Sequence, residues 1–216
     1  MAADSPVTKR LFDVGLAAVG LLLSWPLWLL IAACIKLEDR GRVFFVDNRL
    51  GARGRLFRLW KFRTMRAHEK SGTARRQTTA GDPRVTRVGH ILRATALDEL
   101  PQLWNILKGD MSFVGPRALL PREIEASGAG MALSAETIAG YEQRQAVRPG
   151  LTGIAQVYAP RNLTRRQKFR YDRLYVRRMS LWLDLRLILL SFLVTFLGRW
   201  EQVGEKLPRG LARARL

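Results

Sequence analysis

The feature that most constrains this sequence is an uncharged, strongly apolar run of 22 residues from position 14 to position 35. As a straight α-helix it would be about 33 Å long, and the hydrocarbon core of a membrane is about 30 Å thick. The run therefore predicts a membrane helix within an N-terminal segment at residues 1–40. An ordinary transmembrane anchor is its simplest interpretation.

Two features of the run favour a re-entrant helix, which enters the membrane, bends and leaves by the same face. Pro26 lies in its interior, where a proline removes a helix hydrogen bond at a cost of about 3 kcal/mol. Both ends are basic, whereas a single span usually has its excess of basic residues on one side. The flanking residues are Lys9, Arg10, Lys36, Arg40 and Arg42. A simple span and a lipoprotein-type signal ending at Cys34 remain alternatives.

The charge of the chain predicts an anionic partner. A net charge of +19 and a pI near 11.4 suit nucleic acid, anionic lipid headgroups or phosphorylated substrates, and composition alone does not choose among them. A single cysteine, Cys34, excludes an internal disulfide, and with two histidines it argues against a zinc site. Any metal is expected to be a hard cation held by carboxylates.

The remaining patterns predict an α+β fold that is mainly helical. Two β-rich runs, residues 42–50 and 55–65, surround a turn with two glycines and predict a β-hairpin, whose basic and aromatic side chains suit a headgroup surface. Three further segments complete the pattern: a loop or lid at 66–84, helix at 119–146 with an interruption near residues 127–130, and a short interfacial or buried helix at 187–197. We expect a catalytic domain at 41–200 and a basic tail at 201–216.

The most informative polar feature is the acidic pair Asp98 and Glu99. Pro101 suits the first turn of a helix and Gly109 its end, so the pair lies at or just before a helix N-terminus, which favours ionised carboxylates. One interpretation is structural, with Asp98 as an N-cap that contributes roughly 1 kcal/mol. The other is chemical: Asp98 as a nucleophile towards phosphorus and Glu99 as a ligand of Mg²⁺.

Three arginines accompany the acidic pair: Arg93, Arg117 in a Gly-Pro-Arg segment, and Arg148 in an Arg-Pro-Gly segment. Guanidinium groups match phosphate oxygens in geometry and charge. Each arginine taken singly is typical of a surface charge. Together with the acidic pair and the membrane segment, they predict a site for a phosphorylated substrate.

In this order along the chain, these segments resemble the monotopic phosphoglycosyl transferases, also called bacterial sugar transferases. The similarity covers roughly residues 9–190 and is specific as a set, although no short motif is specific alone. The matching segments are residues 9–13 (Lys-Arg-Leu-Phe-Asp), 61–65 (Lys-Phe-Arg-Thr-Met), 97–102, 107–117, 147–157 and 169–172, with Tyr175 and Asp184.

The resemblance implies a two-step reaction. Asp98 would attack the β-phosphate of a UDP-sugar and expel UMP, and polyprenyl phosphate would then take the sugar phosphate from the aspartyl intermediate. Glu99 would hold Mg²⁺, and Arg93, Arg117 and Arg148 would contact phosphate or substrate. The N-terminal helix would be the family's re-entrant helix, with its orientation fixed by charge pairing of Lys9, Arg10 and Asp13.

The resemblance also implies partners and a place in the cell. These are a UDP-sugar, polyprenyl (undecaprenyl) phosphate and membrane lipids but not nucleic acid, at the cytoplasmic face of a bacterial inner membrane, with homo-oligomerisation left open. The chain is expected to be the minimal catalytic form, initiating the assembly of an exopolysaccharide, capsule, O-antigen or glycoprotein glycan. Two alternatives are a membrane-tethered, non-enzymatic protein that binds anionic lipid or nucleic acid, which leaves the acidic pair unexplained, and a polytopic, metal-only transferase.

Overall fold

The computed structural model describes residues 6–66, 82–121, 124–126, 132–160 and 163–197. In this part of the chain the fold is mainly helical, as the sequence predicts, and it contains three small two-stranded sheets, of which the sequence predicts one. The helices are α1 (Val7–Asp39), α2 (Arg87–Ala94), α3 (Gln102–Lys108), α4 (Tyr141–Gln145), α5 (Ile154–Tyr158), α6 (Arg165–Arg178) and α7 (Leu181–Leu197). The predicted tail at 201–216 and most of the predicted loop at 66–84 lie outside the described residues.

The apolar run forms the central part of α1, which continues without interruption through Pro26 for 33 residues. By length and composition α1 is sufficient to cross a membrane. A proline inside a helix removes one backbone donor but leaves the hydrogen bonds on either side available. Ser24 accepts a hydrogen bond from Trp28 Nε1 at 3.1 Å. The long apolar helix is therefore observed, and its membrane insertion and re-entrant path stay predictions.

A narrow stripe of α1 packs against the rest of the molecule along both of its halves. The buried residues of the stripe are Lys9, Asp13, Ala17, Ile31 and Ile35. The opposite face is apolar and exposed, and 11% of the most apolar 18-residue window is buried. A core helix of a water-soluble domain would be mostly covered by protein, so the outer face of α1 is suited to lipid.

Strands β1 (Phe44–Leu50) and β2 (Leu56–Phe62) form the predicted antiparallel hairpin. A 3-10 turn at Ala52–Gly54 joins them. At the open end of the hairpin, the rings of Phe44 and Phe62 stack at 5.4 Å, and Trp28 of α1 meets Phe62 edge-on at the same distance. This aromatic cluster attaches the hairpin to the C-terminal half of α1.

Asn105 attaches α3 to the free edge of β2. Its Oδ1 accepts from the backbone N–H of Trp60 at 3.1 Å, and its Nδ2 donates to the carbonyl of Arg58 at 2.7 Å. The side-chain amide thus takes the place of a neighbouring strand, which explains why a polar side chain can be fully buried. On its other side, α3 reaches α1 where Gly20 admits the side chain of Leu103.

Strands β3 (Ser112–Val114) and β6 (Gly150–Thr152) form a parallel pair. The Gly-Pro-Arg segment follows β3, the Arg-Pro-Gly segment leads into β6, and the two segments are in contact. A Cβ atom added to Gly150 would lie 2.0 Å from the backbone nitrogen of Gly115, and one added to Gly115 would lie 2.4 Å from the carbonyl oxygen of Arg148. Glycine is required at both positions because the two backbones are in direct contact.

The prediction of helix over residues 119–146 is wrong for most of its length. Strands β4 (Ile124–Ala126) and β5 (Ala132–Ser134) pair there in antiparallel fashion, followed by a 3-10 turn and the short helix α4. Gly140 adopts φ 96°, which interrupts any helix that would pass through it. The predicted helix at 187–197 is present as α7 and begins at Leu181.

A buried polar network joins α1 to the C-terminal helices and includes ion pairs of Lys9 with Asp13 and Asp184. Lys9 Nζ donates to Asp184 Oδ2 of α7 at 2.7 Å, and Asp13 accepts from the backbone N–H of Phe113 at 3.2 Å. The hydroxyl of Tyr175 lies 2.8 Å from Asp184 Oδ1. Buried charges need such partners, so this network fixes the N-terminal half of α1 on the domain.

Candidate active site

The acidic pair occupies a 3-10 turn, Leu97–Glu99, between α2 and α3. Ala96 enters the turn in the left-handed conformation at φ 55°, and the N-cap position of α3 is Pro101, without a side-chain cap. The interpretation of Asp98 as an N-cap is therefore wrong. Its carboxylate is left available for another role.

Lys61 of β2 bridges the two acids. Its Nζ lies 2.5 Å from Glu99 Oε1 and 3.9 Å from Asp98 Oδ2. The side chains of Asp98 and Lys61 are mostly covered by protein, at 13% and 24% exposure, so their attraction is screened by water less than that of a surface pair. One ammonium group thus holds both carboxylates on the same side of the turn.

The pKa of Asp98 is raised to about 6, because burial disfavours its charged form more than the nearby cations favour it. Glu99 adds to the rise by repulsion, while the positive charges of Lys61 and Arg93 oppose it. With such a pKa, about nine-tenths of the carboxylate is ionised at pH 7. Burial therefore outweighs the expected effect of the helix terminus, and Asp98 is nevertheless an anion at neutral pH.

Arg93 reaches this site from the last turn of α2. Its Nε donates to Thr64 Oγ1 at 2.9 Å, just beyond the end of β2. Helix α2 lies directly on this segment, since a Cβ atom on Gly89 would lie 2.1 Å from the carbonyl oxygen of Thr64. The guanidinium group is otherwise exposed, and two of its nitrogens remain for an anionic ligand.

Arg148 lies at the other end of α3 from the acidic pair, and α3 alone, with seven residues, is about 10 Å long. Its Nε donates to the carbonyl of Gly109 at 2.9 Å. Beside it, Arg10 of α1 donates to the carbonyls of Ile106 at 2.6 Å and Leu107 at 2.8 Å. The two guanidinium groups satisfy carbonyls at the C-terminus of α3, where positive charge is favourable.

Arg117 is exposed, and its backbone carbonyl is held by a buried ion pair. Arg144 Nη2 donates to that carbonyl at 2.5 Å, and its Nε donates to Asp172 Oδ2 at 3.0 Å. Burial raises the pKa of Asp172, and the charge of Arg144 opposes the rise. Within the described residues, the acidic pair forms ion pairs with Lys61 and with neither Arg117 nor Arg148.

The two carboxylates of the acidic pair would be enough protein ligands for a divalent cation. No cluster of three or more histidine, cysteine or acidic side chains occurs in the described residues. Mg²⁺ in phosphoryl-transfer sites is usually held by one or two carboxylates, with water and substrate phosphates as the other ligands. Glu99 and Asp98 fit this donor set, provided that the ammonium group of Lys61 leaves Glu99 Oε1.

Sequence reasoning missed Lys61 as a site residue, although the residue opens one of the segments that carry the family resemblance. The pairing of Lys61 with Glu99 joins positions 38 residues apart, and no local pattern reports such a contact. A basic residue on the strand before an acidic pair was the available signal.

The chain matches the family model described as bacterial sugar transferase over residues 4–198. It is 44% identical over 190 residues to a UDP-glucose:undecaprenyl-phosphate glucose-1-phosphate transferase of Xanthomonas campestris pv. campestris, covering 86% of this chain and 38% of the relative. It is 42% identical to the exopolysaccharide production protein PSS of Rhizobium leguminosarum bv. phaseoli, covering 84% of this chain and 92% of the relative.

A third relative is named for another sugar. The UDP-N-acetylgalactosamine-undecaprenyl-phosphate N-acetylgalactosaminephosphotransferase of Aeromonas hydrophila is 41% identical, over 83% of this chain and 41% of its own length. The chain thus spans about two-fifths of the length of several curated relatives and nearly all of another. The match extends from α1 through α7. The chain belongs to the bacterial sugar transferase family.

Proposed function

We propose that this protein transfers a sugar 1-phosphate from a UDP-sugar to polyprenyl phosphate, most simply undecaprenyl phosphate, and that Asp98 is the nucleophile. The observation that supports this most directly is the largely buried carboxylate of Asp98, which lies next to a second acid and a lysine and does not cap a helix. Members of the family with similar sequences are named for this reaction.

In the first step, a carboxylate oxygen of Asp98 attacks the β-phosphorus of the UDP-sugar. The bond from that phosphorus to the oxygen that bridges the two phosphates breaks, and UMP leaves with the electron pair. In the second step, a phosphate oxygen of polyprenyl phosphate attacks the same phosphorus. The bond to Asp98 breaks, the carboxylate is regenerated, and the polyprenyl-diphosphate sugar is released. The acid must be ionised at the start of each cycle, as it is at neutral pH.

The cations around Asp98 have a defined task in both steps. A carboxylate and a phosphate repel each other, and a positive charge between them lowers the cost of their approach. Lys61 supplies one such charge and Arg93 a second. Bound Mg²⁺ would be held by Glu99 and would neutralise charge on the phosphate oxygens. Lys61 would then contact a phosphate oxygen instead of Glu99.

Arg117 and Arg148 are proposed substrate contacts with different supports. Arg117 is exposed on a segment held rigid by Arg144, so its guanidinium group is available to a phosphate. Arg148 already donates from Nε to the carbonyl of Gly109 at the end of α3, so its other two nitrogens would bind the substrate. Loss of Arg148 is therefore expected to affect the fold as well as substrate binding.

We propose that α1 is re-entrant, with both ends at the cytoplasmic face of the inner membrane. Its start is tied to the domain by the ion pair of Lys9 with Asp184, and its end by the ion pair of Asp39 with Arg63. A helix whose two ends are held by one charged domain does not place them on opposite sides of a bilayer without burying part of that domain in lipid. The exposed apolar residues Trp182, Leu185, Leu189 and Phe192 give α7 a second lipid-facing surface.

The test is UMP release from a panel of UDP-sugars, because relatives named for glucose and for N-acetylgalactosamine match about equally well. With Mg²⁺ and polyprenyl phosphate, we expect turnover of at least one sugar. Asp98→Asn should abolish turnover, and Glu136→Gln, at an exposed acid outside the site, should not. Mass spectrometry of the wild type without acceptor should find the sugar phosphate on Asp98.

Two results would count against the proposal. Full activity of Asp98→Asn, or a sugar phosphate trapped on another residue, excludes Asp98 as the nucleophile. No UMP from any member of the panel would return the protein to the alternative of a membrane-tethered basic protein that binds anionic ligands without chemistry. The products would also identify the sugar that is transferred; the relative from Rhizobium leguminosarum is named for exopolysaccharide production.

A further inference from the structure

The last turn of α1 carries two acids that hold two other elements of the domain. Glu38 Oε1 accepts from the backbone N–H of Arg87 at 2.7 Å, and its Oε2 accepts from the backbone N–H of Val88 at 3.1 Å. These are the first two residues of α2, 49 and 50 positions further along the chain. The membrane helix therefore supplies the cap of a separate helix.

The cap is complete at this end of α2. Thr86, the N-cap residue, accepts from the N–H of Gly89 at 2.9 Å, so the first three amides of α2 all have side-chain acceptors. A carboxylate is favoured there over a neutral acceptor, because the N-terminus of a helix is partially positive. An acid at position 38 thus suits the role better than an amide of the same size.

The neighbouring acid, Asp39, holds the segment that follows β2, the strand that carries Lys61. We call the contacts of Glu38 and Asp39 with these two elements the clamp. Asp39 forms an ion pair with Arg63 and accepts from the backbone N–H of Gly41 at 3.2 Å. A Cβ atom on Gly41 would lie 1.9 Å from an Arg63 nitrogen, so the chain is tightly packed where it leaves α1. The end of α1 thereby holds the start of α2 and the segment just after β2.

Helix α2 and the segment after β2 position the two cations of the candidate active site, Arg93 and Lys61. Helix α2 ends with Arg93 and leads through Ala96 into the turn that carries Asp98. Arg93 also contacts the segment after β2, because its Nε donates a hydrogen bond to Thr64 Oγ1. A displacement of α2 along its axis moves Arg93 relative to Asp98, and an ångström is enough to impair phosphoryl transfer.

We propose that Glu38 is a positioning residue, which fixes α2 on the end of the membrane helix and so places Arg93 beside Asp98. The proposal rests on the function proposed above. It makes the geometry of the cytoplasmic site depend on how α1 is seated, since the cap exists only when the last turn of α1 is formed and lies against α2.

The first test measures the clamp without using activity. Hydrogen exchange is compared in the wild type, Glu38→Gln and the control Glu136→Gln, with the whole chain in lipid nanodiscs. Glu38→Gln keeps the size of the side chain but loses its charge and one acceptor. We expect exchange at the start of α2 to be about tenfold faster or more, with the amides of β1 unchanged. Equal exchange in all three proteins would overturn the proposal.

The second test is a double-mutant cycle on UMP release, with Glu38→Gln and Thr64→Val, which removes the hydroxyl that holds Arg93. If both side chains act by placing Arg93, the double variant should be within about twofold of the more impaired single variant. Losses that multiply would overturn the positioning role. If the wild type releases no UMP, the proposed function and this role fail together, while hydrogen exchange still decides whether the clamp exists.

Discussion

Asn105→Ala tests whether one side-chain amide holds α3 on the hairpin. In the wild type, the amide satisfies the N–H of Trp60 and the carbonyl of Arg58, at 3.1 and 2.7 Å. Its Nδ2 also lies 3.2 Å from Asp110 Oδ2. Alanine removes all three contacts and leaves the two backbone groups of β2 without their partners from α3.

The magnitude follows from the two backbone groups that lose their partners. Each unsatisfied group costs about 1 to 3 kcal/mol, and Arg58 and Trp60 lie near the surface of the hairpin, so we take about 3 kcal/mol for both together. In a chain of this size, 1 kcal/mol lowers the Tm by about 2 to 4 °C. Asn105→Ala should therefore lower the Tm by about 6 to 12 °C.

The assay is thermal unfolding in one fixed detergent or nanodisc, with Asn48→Ala as the matched control. Asn48 lies on the same hairpin opposite Arg58, and its side chain is exposed. Its removal should change stability by less than about 0.5 kcal/mol. Equal Tm values for the two variants would refute the reasoning, because the buried amide would then contribute no more than a surface amide.

Four further predictions concern charge and close packing. UMP release should fall about tenfold between pH 7 and pH 5, because protonation removes the nucleophile as the pH drops through the pKa of Asp98 near 6. Lys61→Met should move this acid limb to higher pH, because the lysine lowers that pKa, and Lys61→Arg should not; an unmoved limb in Lys61→Met would contradict the bridge. Gly150→Ala should unfold at lower temperature than Gly15→Ala, because a Cβ at position 150 would lie 2.0 Å from the backbone nitrogen of Gly115, whereas a Cβ at position 15 would have nothing within 4 Å; reversed Tm values would contradict this. Lys9→Met should cost about 3 to 5 kcal/mol of stability by leaving Asp184 buried without its cation, and the second change Asp184→Asn should recover part of the loss; no recovery would argue against the pair.

Local chemistry made part of the fold predictable. Pro101 and Gly109 bracket α3 as expected, since the fixed φ of proline and the left-handed φ of glycine are properties of single residues. The hairpin and the long apolar helix follow in the same way from short-range pattern. The helix predicted at 119–146 is wrong because glycine at 140 and strand pairing outweigh a weak helical pattern.

The candidate site was predictable only in its residue types. Asp98, Glu99 and Arg93 lie close together because a short chain segment carries all three. The bridge from Lys61 depends on how α3 docks against β2, which is a tertiary contact without a local signature. Arg148 was expected near the acids, but its contact lies at the far end of α3, because the interlocked glycines place it there.

The tie between Lys9 and Asp184 has a consequence for biosynthesis. The two residues are 175 positions apart, so the ribosome adds that many residues after the lysine before it can meet its partner. At about 5 to 20 residues per second, this delay is about 9 to 35 s. The exposed apolar face of α1 needs lipid or a chaperone to cover it during that time.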